Sequence, residues 1–93
     1  MKSIMQDEKC CFICGTTYNL HLHHIFEGSR RQASERNGLT VYLCAYHHNM
    51  SDEGVHNNSE NNLKLKQKCQ RKYEKLHSHD EFMAIIGKNY LED

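Results

Sequence analysis

The stretch VYLCAYHHNM, residues 41–50, joins a strand-like segment to two residue types that bind metals. Its first four residues are β-branched, aromatic or apolar, which favours a strand. The six residues after Cys44 are enough for a helix of one or two turns. Cys44 and His47 are separated by two residues, a spacing that lets one turn direct two ligands at one tetrahedral ion. The stretch therefore predicts a strand that runs directly into a metal-binding turn.

A second pair of candidate metal ligands lies earlier in the chain, in the segment CCFICGTT, residues 10–17. Cys11 and Cys14 have the same two-residue spacing. Two such pairs in a chain of 93 residues predict one shared structural zinc ion, held by Cys11, Cys14, Cys44 and His47. Cys10 is an alternative to Cys11, because a three-residue spacer also occurs in zinc sites.

The composition favours metal over disulfides. The chain has five cysteines and eight histidines, and its start, MKSIMQDEK, is too short and too polar for a secretion signal. Thiols stay reduced in the cytosol, where cysteine pairs are more often metal ligands. There is no proline and no linker-like stretch, so we expect one domain over residues 1–93 and a cytoplasmic protein. A net charge of zero gives no general attraction to nucleic acid.

The other segments predict an α+β fold with a short two-stranded sheet. The alternating YNLHLHHIF, residues 18–26, favours the partner strand, and the polar residues 27–38 favour a long loop or a short helix within a loop. A long helix follows asparagine and serine caps, with an apolar face of Leu65, Cys69, Tyr73 and Leu76. A last short helix, DEFMAIIG, ends at Gly87.

Histidines remain once the zinc ligands are assigned. Neighbours on a helix point about 100° apart, so His48 turns away from the zinc that His47 binds. We expect it to face the strand that carries His23 and His24. Neighbours on a regular strand point to opposite faces, so the strand must end or twist at His24 if both are to serve one site. His21 is expected to be a surface or packing residue.

The order CxxC, HH, polar loop and CxxHH resembles the HNH endonuclease family, with LHHIF and LCAYHH as the segments that carry the resemblance. It implies a zinc-braced ββα-metal core over about residues 10–57, with a short two-stranded antiparallel sheet. The helical extension, about residues 58–90, is similar to that of small phage and prophage HNH proteins. The resemblance implies a location in the cytoplasm of a bacterium or of a phage-infected host cell.

The family roles transfer by position. His24 matches the general base that takes a proton from the attacking water, and His23 and His48 match ligands of a catalytic Mg²⁺ or other divalent metal. His56 is the expected third ligand, since many relatives carry a further histidine downstream. Asn37 is the nearest match to the middle asparagine of the motif, but it stands two residues too early. Its alternative role is that of a turn former.

The resemblance implies a metal-dependent endonuclease that hydrolyses phosphodiester bonds of DNA, expected to be double-stranded. Arg30 and Arg31 directly follow the histidine segment and are candidates for binding a phosphate. With zero net charge, we expect nicking or weakly specific cleavage, directed in some settings by a protein partner. The alternative is a non-catalytic zinc-knuckle module that binds DNA or protein within a phage recombination or packaging machine.

Overall fold

An antiparallel hairpin lies at the centre of the fold. In the computed structural model, which describes residues 2–91, strand β1 (Leu20–His24) pairs with strand β2 (Thr40–Cys44). The register sets His24 opposite Thr40 and Leu20 opposite Cys44. The α+β class with a two-stranded antiparallel sheet is confirmed. β1 is shorter than the predicted residues 18–26, because the chain bends after His24 to bury Ile25 and Phe26 in the core.

The N-terminal segment covers the outer edge of β2. The amide of Ile4 donates to the carbonyl of Gly38 at 2.9 Å, and the Gln6 side-chain oxygen accepts from the amide of Tyr42 at 2.6 Å. Phe12 N then donates to the Tyr42 carbonyl at 2.8 Å. Covering an edge strand satisfies backbone groups that would otherwise be open to another chain. The same contacts place the residues around Cys11 beside the end of β2.

The polar segment between the strands contains a 3₁₀ turn (Gly28–Arg30) and helix α1 (Arg31–Arg36), as predicted for a short helix within a loop. Ser34 anchors α1 to the end of the first strand. Its hydroxyl donates to the Phe26 carbonyl at 2.8 Å and accepts from the Phe26 amide at 3.1 Å. α1 is thereby held beside His24, the last residue of β1.

β2 runs into a π-helical turn (Tyr46–Met50), and two α-helices follow. Helix α2 (Ser59–Leu76) begins after Asn58, whose side chain accepts from the Asn61 amide at 3.0 Å. Helix α3 (His79–Ile86) begins with a capping box between Ser78 and Glu81 and ends at Gly87, where φ is 83°. These helices and the Gly87 stop agree with the sequence predictions.

The apolar face of α2 differs from the prediction at its end. Leu65, Cys69 and Tyr73 are buried, but Leu76 is 56% exposed, so its assignment to the core was wrong. His77, the residue that follows α2, stacks on Tyr73 with the ring centroids 4.5 Å apart.

Aromatic contacts close the core. The Phe26 ring lies 5.5 Å from that of Phe82 and 5.3 Å from that of Tyr90, centroid to centroid. These contacts fasten α3 and the residues after it to the hairpin. No helix within residues 2–91 combines the length and the apolar character needed to cross a membrane.

Candidate metal centres

The cysteine cluster, formed by Cys11, Cys14, Cys44 and His47, has the dimensions of a tetrahedral metal site. The sulfur atoms of Cys14 and Cys44 are 3.8 Å apart. Nδ1 of His47 lies 3.3 Å from the sulfur of Cys44 and 3.8 Å from that of Cys11. A tetrahedral zinc with sulfur ligands at about 2.3 Å needs sulfurs about 3.8 Å apart. The four side chains could therefore hold one ion without rearrangement, consistent with a structural metal.

A tight turn presents the Cys11 sulfur. The carbonyl of Cys11 accepts from Gly15 N at 2.9 Å, and its amide donates to the Thr16 carbonyl at 2.8 Å. Burial opposes ionisation of this thiol, but hydrogen bonds from the backbone, Cys44 foremost, outweigh it and lower the pKa to about 6. Thiolates are the form that binds metals. The turn therefore prepares one anionic ligand before any metal arrives.

The other two cysteines lie outside the cluster. Cys10 is half-buried and is not one of the four converging side chains, so the structure places Cys11 in the cluster rather than Cys10. Cys69 is fully buried on α2, and burial raises the pKa of its thiol to about 12. It belongs to the core, as its position on the apolar face of α2 predicted.

The histidine cluster, formed by His23, His48 and His56, brings three imidazole nitrogens within 4.8 Å of one another. Nε2 of His48 is 3.0 Å from Nε2 of His56, and both rings stand edge-on to that of His23. His23 is 2% exposed. Burial, followed by the charges of His48 and His56, lowers its pKa to about 3. His23 is therefore neutral at physiological pH, the form in which imidazole binds metals.

One atom of the histidine cluster is left without a partner. Nε2 of His23 is buried and makes no hydrogen bond within the described part of the chain. Leaving a buried polar atom unpaired costs about 1–3 kcal/mol, so such atoms are rare in folded proteins. A metal ion shared with His48 and His56 would satisfy this nitrogen.

The π turn and the loop after it explain how His47 and His48 reach different clusters. The carbonyls of His47 and His48 accept from the amides of Val55 and His56 at 2.9 and 3.0 Å. A Cβ added at Gly54 would lie 2.9 Å from the His48 carbonyl carbon, so only glycine lets the two segments approach this closely. This folding back places His56 beside His48.

His24 is oriented differently from His23. β1 ends at His24, as expected, yet the His24 ring does not join His48. Its Nε2 instead lies 2.9 Å from a carboxylate oxygen of Glu35 on α1. This hydrogen bond lowers the pKa of Glu35. His24 is 9% exposed. The partnership with Glu35 was missed from the sequence, because it depends on how α1 packs against the strand.

Three further predicted residues have definite positions. The Asn37 side chain donates to the Ala33 carbonyl at 2.8 Å and closes the end of α1, the role of a turn former. The Arg30 guanidinium lies against Gly87 at the end of α3. Arg31 is exposed and close enough to Glu35 for its charge to contribute to the lowered pKa of that carboxyl. Arg31 thus lies near Glu35, the partner of His24, whereas Arg30 lies against the end of α3.

A comparison of the chain with known protein families, curated proteins and solved structures found no match. The function must therefore be argued from the geometry of the two clusters and their surroundings.

Proposed function

We propose that this protein is a metal-dependent endonuclease that hydrolyses phosphodiester bonds of DNA. The cysteine cluster would hold a structural zinc, and the histidine cluster a second, catalytic metal. The observation that carries the proposal is that His23, whose buried Nε2 has no hydrogen-bond partner among the described residues, converges with His48 and His56. A purely structural role for three converging histidines gives no reason to leave that nitrogen unpaired.

The donor set favours a transition metal at the histidine cluster. Three imidazole nitrogens suit zinc, nickel, copper or iron, whereas Mg²⁺ prefers oxygen ligands and keeps several waters. Glu27, the acidic residue beside the cluster, approaches His56 Nδ1 at 3.5 Å and is not one of the three converging ligands. A bound ion of this class would polarise the scissile phosphate and stabilise the leaving oxygen.

His24 is the proposed general base. It follows the ligand His23 directly, and its Nε2 is hydrogen-bonded to Glu35. When Nε2–H donates to the carboxylate, Nδ1 carries the lone pair that can accept a proton from water. The water oxygen then bonds to phosphorus, and the phosphorus bond to the leaving oxygen breaks. Arg31, whose charge acts on Glu35, would contact a neighbouring phosphate.

The test is nicking of supercoiled plasmid by the zinc-loaded protein with Ni²⁺, Mn²⁺, Zn²⁺, Mg²⁺ or EDTA. His24→Ala should keep its zinc content and its fold but lose nicking by a factor of about 10² or more, the usual contribution of a general base. His77→Ala removes an exposed histidine at the end of α2 and should nick normally. If His24→Ala cuts plasmid as fast as the unmodified protein, the proposed mechanism is wrong.

A second candidate function is a non-catalytic module that binds a protein or DNA within a phage recombination or packaging machine. Apolar side chains beside the cysteine cluster favour it, since Ile13 and Tyr46 are each about half exposed. Apolar groups on a surface are typical of protein contacts when they are contiguous. Plasmid that stays intact with every metal, under conditions where the protein binds a second ion, would favour this function over the nuclease.

A further inference from the structure

We infer that His21 and Glu27 hold the rings of His48 and His56 in the orientation that binds the second metal. This inference rests on the metal site of the proposed function and concerns two residues that neither bind the metal nor touch the substrate. They are positioning residues. The contacts below fix which nitrogen of each ring faces the metal.

His48 uses both of its ring nitrogens. Nε2 lies 3.0 Å from His56 Nε2, and Nδ1 lies 2.9 Å from Nδ1 of His21. Two neutral imidazole nitrogens at hydrogen-bond distance need one donor and one acceptor. If Nε2 of His48 binds the ion, its Nδ1 must carry the hydrogen and donate to His21. His21 can accept this hydrogen on its own Nδ1 and so supports the tautomer of His48 that leaves Nε2 free for metal.

The two ring nitrogens of His56 are arranged in the same way as those of His48. Its Nε2 faces His48, and its Nδ1 lies 3.5 Å from a carboxylate oxygen of Glu27. A carboxylate can only accept, so Glu27 favours the form of His56 that carries its hydrogen on Nδ1. Carboxylates and carbonyls on the outer nitrogen are the common way in which proteins orient metal-binding histidines. Both rings thus turn Nε2 inward and Nδ1 outward.

The distances agree with this orientation. Two nitrogen ligands at about 2.1 Å from one ion, at right angles, lie about 3 Å apart. The Nε2 atoms of His48 and His56 are 3.0 Å apart. The buried, unpartnered atom of His23 is also its Nε2. Nε2 is therefore the nitrogen that we assign to the metal in all three histidines.

The backbone explains why His21 and Glu27 occupy these positions. His21 and His23 are two residues apart on β1 and share one face of the strand. Glu27 follows the bend after β1. β1 and its continuation therefore supply one ligand and both orienting groups, and the segment from the π turn to His56 supplies the other two ligands.

The experiment measures binding of Ni²⁺ to zinc-loaded protein by calorimetry. His21→Ala and Glu27→Gln should each weaken Ni²⁺ binding by about 10- to 100-fold, the usual effect of losing such a partner. His21→Gln keeps an oxygen that accepts from Nδ1 and should recover part of the affinity. His77→Ala is the matched control. Zinc content and the far-UV spectrum of each variant show that its fold is intact.

A second measurement needs no variant. In ¹⁵N-labelled protein with zinc at both centres, NMR of the imidazole nitrogens should show the hydrogen of His48 and of His56 on Nδ1. Unchanged Ni²⁺ affinity in both variants, or hydrogen on Nε2, would overturn the inference while the proposed nuclease function stands. An unmodified protein that binds no second ion would overturn the histidine metal site itself, and the proposed function with it.

Discussion

At the scale of single residues, adjacent histidines in this chain serve different partners. His23 and His24 diverge because side chains alternate along a strand, and the first meets the histidine cluster while the second meets Glu35. His47 and His48 diverge because they follow one another around the π turn. A pair of histidines in sequence therefore marks two environments, and the backbone at the pair decides which ring goes where.

The cysteines should differ sharply in their reaction with iodoacetamide. In the zinc-loaded protein only Cys10 should be modified, because three thiols bind the metal and Cys69 is buried with a pKa of about 12. Removing zinc should add three modified sites, Cys11, Cys14 and Cys44, and Cys69 should react only in denaturant. Mass spectrometry counts the modified sites.

Cys10→Ser is the control for this labelling. It should bind one zinc per chain and show no modification when folded, whereas Cys11→Ser should lose the zinc. If Cys10→Ser loses zinc and Cys11→Ser retains it, then Cys10 is the zinc ligand and Cys11 is not.

The two neighbouring arginines should give different phenotypes under the proposed function. Arg31→Glu replaces a cation near Glu35 and should raise the KM for DNA about tenfold. A tenfold change corresponds to about 1.4 kcal/mol, which is the size expected for one lost hydrogen bond to a phosphate. The thermal stability of the variant should be unchanged. Arg71→Glu makes the same change on the exposed side of α2 and serves as the control. An unchanged KM for Arg31→Glu would show that Arg31 does not contact the DNA substrate.

At the scale of elements, local signals predicted most of the fold. Asparagine and serine caps, the Gly87 stop and the β-branched residues of β2 act over a few neighbours, so they can be read from sequence. The exposure of Leu76 could not, because burial at the end of a helix depends on which other elements pack there. The pairing of His24 with Glu35 and of His48 with His21 also depends on packing between elements distant in sequence.

Gly54 should be required for the histidine cluster and not for the fold. A methyl group there would meet the His48 backbone at 2.9 Å and push the returning segment outward. Gly54→Ala should therefore weaken Ni²⁺ binding to the zinc-loaded protein, by at least the tenfold expected when a ligand is misplaced. Asp52→Ala, an exposed change in the same loop, should bind Ni²⁺ normally. Unweakened binding by Gly54→Ala would mean that the loop adapts without cost.

At the scale of the whole molecule, the two clusters are joined through one short segment. His47 and His48 are consecutive, and the backbone groups of both bind the loop that carries His56. Sequence spacing predicted the four residues of the cysteine cluster, because each two-residue spacing reflects the geometry of a single turn. His23, His48 and His56 were expected from the family resemblance, since they come from separate segments of the chain. Sequence spacing did not predict that the π turn, which carries His47 of the cysteine cluster, also supports the loop that carries His56. This arrangement depends on how the hairpin and the π turn pack together.

Loading of the two centres should therefore be ordered. A core this small gains much of its stability from bound metal, so removing zinc with a strong chelator should lower the melting temperature and unfold the π turn. Without that turn His48 and His56 are not held together, and Ni²⁺ binding at the histidine cluster should be lost. Zinc binding should not depend on the second ion in turn. His23→Ala removes a ligand of the second ion but none of the zinc ligands, so this variant should keep its zinc. Calorimetry with Ni²⁺, combined with zinc content and thermal melting, measures both directions. Ni²⁺ binding of normal strength in zinc-free protein would show that the histidine cluster forms without the cysteine cluster.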